Sequence, residues 1–185
     1  MPNHCQNILI IAGSKKDLEE FTSKSEDKEF LLETYLPTPE NPGEHLDDGK
    51  PHYLDAFTAE LGGDDWYTWR IKNWGTKWDV YETSKFLFVD DGNIPEVPEL
   101  ENIMEIIENI HKHEIRVSFL SAWSPPEEGV CTISKGYPEL LFTLIFCEVG
   151  NNFAGETVFM NGKVLVTKSG EVEEYMEKYD FTNAF

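Results

Sequence analysis

Cysteine is scarce and odd in number: Cys5, Cys131 and Cys147 are the full complement. That excludes the even, dense disulfide framework of a small secreted domain and predicts three reduced thiols. Long hydrophobic runs are missing as well, and no segment approaches the ~18 apolar residues that a membrane span needs. The apolar run Ile8 to Ala12 is too short for a secretory signal and no basic stretch precedes it, so a cytoplasmic protein is expected. Above all, cations are few. Lys and Arg number 15 against 35 Asp and Glu, a formal charge of −20. Affinity for a phosphate backbone comes mainly from Lys and Arg displacing counterions, so direct binding of DNA or RNA is disfavoured.

The familiar chemical signatures are also lacking. There is no Cys-x-x-Cys and no His-Glu-x-x-His. His111 and His113 stand two apart on a helix end, where their imidazoles diverge and cannot share a metal. Gly13-Ser14-Lys15-Lys16 follows a strand but lacks the earlier glycine of a phosphate-binding loop. The Asp47-Asp48-Gly49 and Asp90-Asp91-Gly92-Asn93 turns lack the ligand spacing of a calcium loop. Neither metal nor cofactor is expected.

What is present is enough to fold. Apolar residues make up 40% and aromatics 13% of 185 residues, too rich for a disordered chain and sufficient for one core. Asn7 to Ala12 reads as a buried strand. Ser14 with Asp17 starts a helix to about Lys24 with Leu18 and Phe21 inward. Phe30 to Leu36 has strand composition and stops at Pro37 and Pro39. Residues Glu40 to Lys50 form a loop, His52 to Leu61 a short helix, and the aromatic, β-branched stretch Trp78 to Val89 a strand. Between Glu99 and His113 the stripe Leu100, Ile103, Ile106, Ile107, Ile110 marks a helix. Ile115 to Trp123 alternates as a half-buried strand, and Ser124 with Glu127 can cap the helix that follows. Leu140 to Val149 is the candidate central strand, Asn161-Gly162 a hairpin turn, and Gly170 to Tyr179 a last acidic helix.

This order predicts an α+β fold, a ferredoxin-like split βαβ with a mostly antiparallel sheet, an extra C-terminal hairpin and helical insertions. Residues 1–185 are expected to form a single domain, with an insertion around 40–113 and a C-terminal helix at 170–180. An ordered set of motifs then carries a resemblance: Met1 to Asn7 before an apolar strand and Gly13, Leu36-Pro37-Thr38-Pro39-Glu40, Trp69 to Asp79, Ala122-Trp123-Ser124-Pro125-Pro126, Tyr137-Pro138 and Phe153-Ala154-Gly155. Together they resemble phage- and plasmid-encoded proteins with a YubB-type ferredoxin-like domain. The chain departs from that family at His4, where the family carries Trp, and in the acidic helix. The resemblance implies a fold and a mobile-element accessory role, and no reaction.

Two groups of residues are candidates for function. Trp69, Arg70, Trp74, Lys77 and Trp78 put rings beside cations, the composition of a binding hot spot; Trp123 and Ser124 join them at a strand end. The competing reading is a mini-core of packed rings. The other group is acidic: from Phe86 through Ile110 there are seven acids and no Lys or Arg. Asp90, Asp91, Glu101, Glu105 and Glu108 can form a face that imitates a phosphate track, against the plainer alternative of a solvated helix face. The favoured function is a non-enzymatic protein that engages a basic surface of a host or mobile-element protein, possible inhibition included, in the host cytoplasm if phage-encoded. The alternative is an enzyme or small-ligand protein whose pocket joins Trp74, Lys77 and Trp78 to Trp123 and Ser124.

Overall fold

The computed structural model describes residues 3–38, 66–90, 113–179 and 181. The helices expected at His52 to Leu61 and Glu99 to His113 lie outside the described residues except for His113, which begins a strand and not a helix end. Six strands form one sheet: β1 (His4–Gly13), β2 (Leu87–Asp90), β3 (His113–Ala122), β4 (Leu141–Glu148), β5 (Phe153–Met160) and β6 (Lys163–Gly170), in the order β2-β3-β1-β4-β5-β6. Every adjacent pair is antiparallel. Five described helices accompany them: α1 (Lys15–Ser23), α2 (Leu32–Tyr35), α3 (Trp66–Trp74), α4 (Glu127–Lys135) and α5 (Val172–Lys178).

The order 2-3-1-4 is two interleaved split βαβ units. β2 runs parallel to β1 with β3 between them, and β3 and β4 flank β1 with α4 in their connection. β5 and β6 extend the β4 edge by two hairpins. β1 and β4 are the central strands, and all eight residues of β4 are buried, which is why Leu140 to Val149 reads as a near-continuous apolar run. The β5–β6 turn is Asn161-Gly162 with φ of 50° and 70°, the double left-handed geometry that suits a two-residue hairpin. At the β4–β5 turn the buried Glu148 carboxylate accepts the N–H groups of Gly150 and Asn151 at 2.6 and 2.7 Å.

One sheet face carries the main core. Leu9, Ile11, Val117, Phe119, Phe142 and Leu144 pack there beneath Leu18 and Phe21 of α1, Val130 and Ile133 of α4, and Trp74 of α3. The Phe21 ring stacks on Tyr35 at 4.4 Å and meets Tyr137 and Phe142 edge-on. On the other face α5 lays Val172 and Tyr175 over Ile10, Ile145, Cys147 and Ala154. α1 starts as its sequence indicates, with the Ser14 hydroxyl oxygen accepting the Asp17 N–H at 3.2 Å.

Three expectations are corrected. Phe30 to Leu36 is not a strand: only Glu29 forms an isolated bridge, to Lys85, and residues Leu32–Tyr35 turn as a helix. The cause is remote, because the Asp79 carboxylate accepts the N–H groups of Leu32 and Glu33 at 2.7 and 3.1 Å and caps that helix from 47 residues away. Trp78 to Val89 is a strand only over Leu87–Asp90; before that it follows the β3 edge through the single bridge Tyr81 to Leu120. Ser124 does not cap α4, whose N-cap is Pro126 with no side-chain bond.

Candidate functional site

The aromatic block is helical. Trp69, Arg70 and Trp74 fall on one side of α3, where Trp74 packs inward with the half-buried Trp69 and Arg70 against it. Trp74 is fully buried; its indole N–H donates to the Leu36 carbonyl at 2.9 Å. Trp69 meets it edge-on at 6.0 Å, and the Arg70 guanidinium lies 4.5 Å over its ring. Arg70 is further engaged by the Thr38 hydroxyl at 3.0 Å and by Glu33 at 3.4 Å. Close packing of α3 on α4 needs Gly129, where a Cβ would press at 3.3 Å on the Trp74 main chain. These three residues are a structural wedge between the N-terminal segment and α4.

Gly75, with φ of 81°, ends α3 and begins a turn that returns to the sheet. The turn is tied to the end of β3. The Thr76 hydroxyl donates to the Ala122 carbonyl at 3.0 Å, and the Ser124 hydroxyl donates to the Gly75 carbonyl at 2.5 Å. The Ser121 hydroxyl donates to the Ser124 carbonyl at 2.7 Å. Ser124 therefore spends its proton on a main-chain carbonyl, a fastening role and not the geometry of an activated nucleophile.

Lys77, Trp78 and Trp123 remain at the surface of these two joined turns. The Lys77 ammonium sits 4.1 Å over the Trp78 ring, and Trp78 and Trp123 are 38% and 46% exposed. Trp123 has φ of 72°, a left-handed conformation unusual for a bulky residue. Beside them the His4 Nδ1 and Tyr81 hydroxyl are 2.7 Å apart. The seven candidate residues thus separate into three packed, three surface and one fastening residue. Of the residues of the pocket alternative, Trp74 is closed to solvent, while Lys77, Trp78 and Trp123 stay at the surface.

Of the acidic candidates, Asp90 ends β2, and its side chain, together with Asp91, Glu101, Glu105 and Glu108, lies outside the described residues. The described residues carry another acidic surface, absent from the candidates: Glu171, Glu173, Glu174 and Glu177 all project to solvent around α5. Its signal was the helical spacing of Val172 and Tyr175, which sends the intervening acids outward.

Several cations face glutamates of the same molecule. Lys85 reaches Glu29 at 2.6 Å, Arg116 grips the buried Glu114 through Nε at 2.6 Å and Nη2 at 2.5 Å, and Lys168 and Lys178 approach the buried Glu156 at 3.8 and 3.9 Å. Tyr179 donates to the same Glu156 at 2.7 Å. Burial and this bond to the carboxylate push the Tyr179 hydroxyl well above the ordinary tyrosine range. Burial also raises the thiols of Cys5, Cys131 and Cys147, so all three free cysteines stay protonated near neutrality. Among the described residues no group of three or more His, Cys, Asp or Glu could hold a metal ion, and no helix is long and apolar enough to cross a membrane.

Comparison with known proteins agrees with this architecture. Residues 104–185 match the family model described as a ferredoxin-like domain in Api92-like protein. The structure is similar to the crystal structure of a protein api92 from Yersinia pseudotuberculosis, with a TM-score of 0.52 and 11% identity, covering 92% of this chain and 98% of that one. No curated protein matches the chain. At that identity the likeness speaks to fold alone; what the fold carries is a ferredoxin-like α+β sheet whose C-terminal half is similar to the Api92-like family.

Proposed function

We propose that this chain is a non-enzymatic accessory protein of a phage or other mobile element that binds a basic surface of a partner protein in the host cytoplasm. The single observation behind the reading is the fate of the charges. A net charge of −20 is large for 185 residues, and Arg70, Lys85, Arg116, Lys168 and Lys178 each face a glutamate of the same molecule. These five cations thus face carboxylates of the same molecule, the buried Glu114 and Glu156 among them, while the α5 acids stand in solvent. A surface of this kind attracts cationic protein faces and repels polyanions. The mobile-element setting rests on the motif resemblance.

The experiment is affinity capture from host lysate with the wild-type chain and two charge-reversed variants, Glu173→Lys/Glu174→Lys/Glu177→Lys and Glu101→Lys/Glu105→Lys/Glu108→Lys. The reading expects a discrete protein partner held at moderate salt and released at high salt, and lost in at least one variant. Capture indifferent to both salt and charge reversal would contradict it.

A further inference from the structure

The tip of the β5–β6 hairpin is fastened to α4. Asn161 and Gly162 form its two-residue turn with φ of 50° and 70°, and in such a loop the N–H of the second residue has no partner in the strand ladder. Here another element takes it: the Gly162 N–H donates to the Ser134 hydroxyl oxygen at 3.0 Å. Ser134 is fully buried in the last turn of α4, and its own proton goes to the Cys131 carbonyl at 2.7 Å, which leaves a lone pair for Gly162. The Lys135 stem lies against the same glycine, 3.0–3.4 Å from where a Cβ would stand. Asn161 itself is exposed.

Asparagine before glycine is chemically labile, and this is the one Asn-Gly step in the chain. The glycine nitrogen, unshielded by a neighbouring Cβ, loses its proton to solvent base and bonds to the asparagine Cγ. The bond from Cγ to the side-chain nitrogen breaks, and that nitrogen leaves as ammonia with a proton from water. A second water opens the resulting succinimide at either carbonyl, giving aspartate or isoaspartate, with no oxidant or reductant involved. Two features of the fold oppose the first step. In a turn of this type ψ of the first residue is about 30°, which sets the Asn161 side chain nearly opposite the Gly162 nitrogen about the Cα–C bond, whereas ring closure needs the two eclipsed. The attacking nitrogen is also the donor to Ser134, so that hydrogen bond must break before attack.

We propose that Asn161 is a deamidation site that Ser134 keeps closed in the folded chain, so that conversion proceeds from molecules whose β5–β6 hairpin has come away from α4. The product makes that opening permanent. It adds a carboxylate at the hairpin tip, and its isoaspartate form inserts an extra main-chain carbon into a turn that fixes the register of both strands.

The test incubates the full chain in mildly alkaline buffer, natively and in guanidinium chloride, and follows the tryptic peptide of residues 136–163 by mass spectrometry, with fragmentation to separate Asn161 from Asn151 and Asn152. The native wild type converts at least about tenfold more slowly than the unfolded chain. Ser134→Ala, shown to be folded by circular dichroism, converts about tenfold faster than the native wild type, the shift in opened population that loss of a buried hydrogen-bond partner gives. Hydrogen exchange on the wild type needs no variant: the Gly162 amide is protected, although a free turn N–H would exchange at once. A native rate equal to the unfolded rate, an unfolded chain that does not convert at Asn161, a folded Ser134→Ala no faster than wild type, or an unprotected Gly162 amide would each overturn the proposal.

Discussion

Replacing Trp74 with alanine tests whether the aromatic block is a core wedge or a binding surface. The ring is fully buried, its N–H holds the Leu36 carbonyl at 2.9 Å, and Trp69 and Arg70 rest against it. Truncating a buried tryptophan costs about 3–5 kcal/mol in lost burial and cavity formation. The Leu36 carbonyl loses its donor as well, for about 1 kcal/mol more. Against a total stability of roughly 5–15 kcal/mol, the variant falls near the threshold of unfolding. With a slope of about 2 kcal/mol/M in urea, the midpoint should drop by about 2–3 M, read by circular dichroism. Trp74→Phe keeps most of the ring and loses the hydrogen bond, so its loss is smaller, about 1–2 kcal/mol. A Trp74→Ala midpoint within about 0.3 M of wild type would refute the packing account and reopen the block as a surface.

Asp79→Ala removes the acceptor for the N–H groups of Leu32, Glu33 and Val80; urea unfolding should show a loss of about 1–3 kcal/mol, with Asp79→Asn in between. Native thiol labelling should be slow throughout, with Cys131 the first to react and the buried Cys5 and Cys147 silent until the protein unfolds. Alkaline stability follows from Tyr175, whose hydroxyl burial and then the charges of Glu156 and Glu174 push from 10.0 to about 12. The folded state retains the proton longer than the unfolded chain, so this contribution is complete below pH 10 and is lost as pH climbs towards 12. Thermal melts across that window should show the fall, and Tyr175→Phe should reduce its slope.

The fold was legible where local signals and tertiary demands agree. Ser14 and Asp17 mark a helix start, Leu141 to Cys147 is mostly apolar because both sheet faces are covered, and Asn161-Gly162 fits a tight hairpin. It was not legible where a distant residue decides. Phe30 to Leu36 has strand composition, yet Asp79, far along the chain, offers its backbone a helical cap. The Trp66–Trp74 helix hides behind aromatic composition that favours strands, since its inward face is set by packing against Gly129 and Leu36. For the site, composition found the residues but not their fates. Sequence cannot tell a buried Trp74 from an exposed Trp78 four positions on, nor show that Ser124 gives its proton to Gly75. The acids of α5 were visible as a charged helix; that Lys168 and Lys178 turn to the buried Glu156 was not.

The central claim is that uncompensated carboxylates direct this molecule to cationic protein surfaces and away from nucleic acid. Filter binding of the full chain to duplex DNA and single-stranded RNA at physiological ionic strength, where the screening length is about 8 Å, tests it most directly. The account predicts no retention of either polymer. Tight retention of DNA or RNA under those conditions would contradict it.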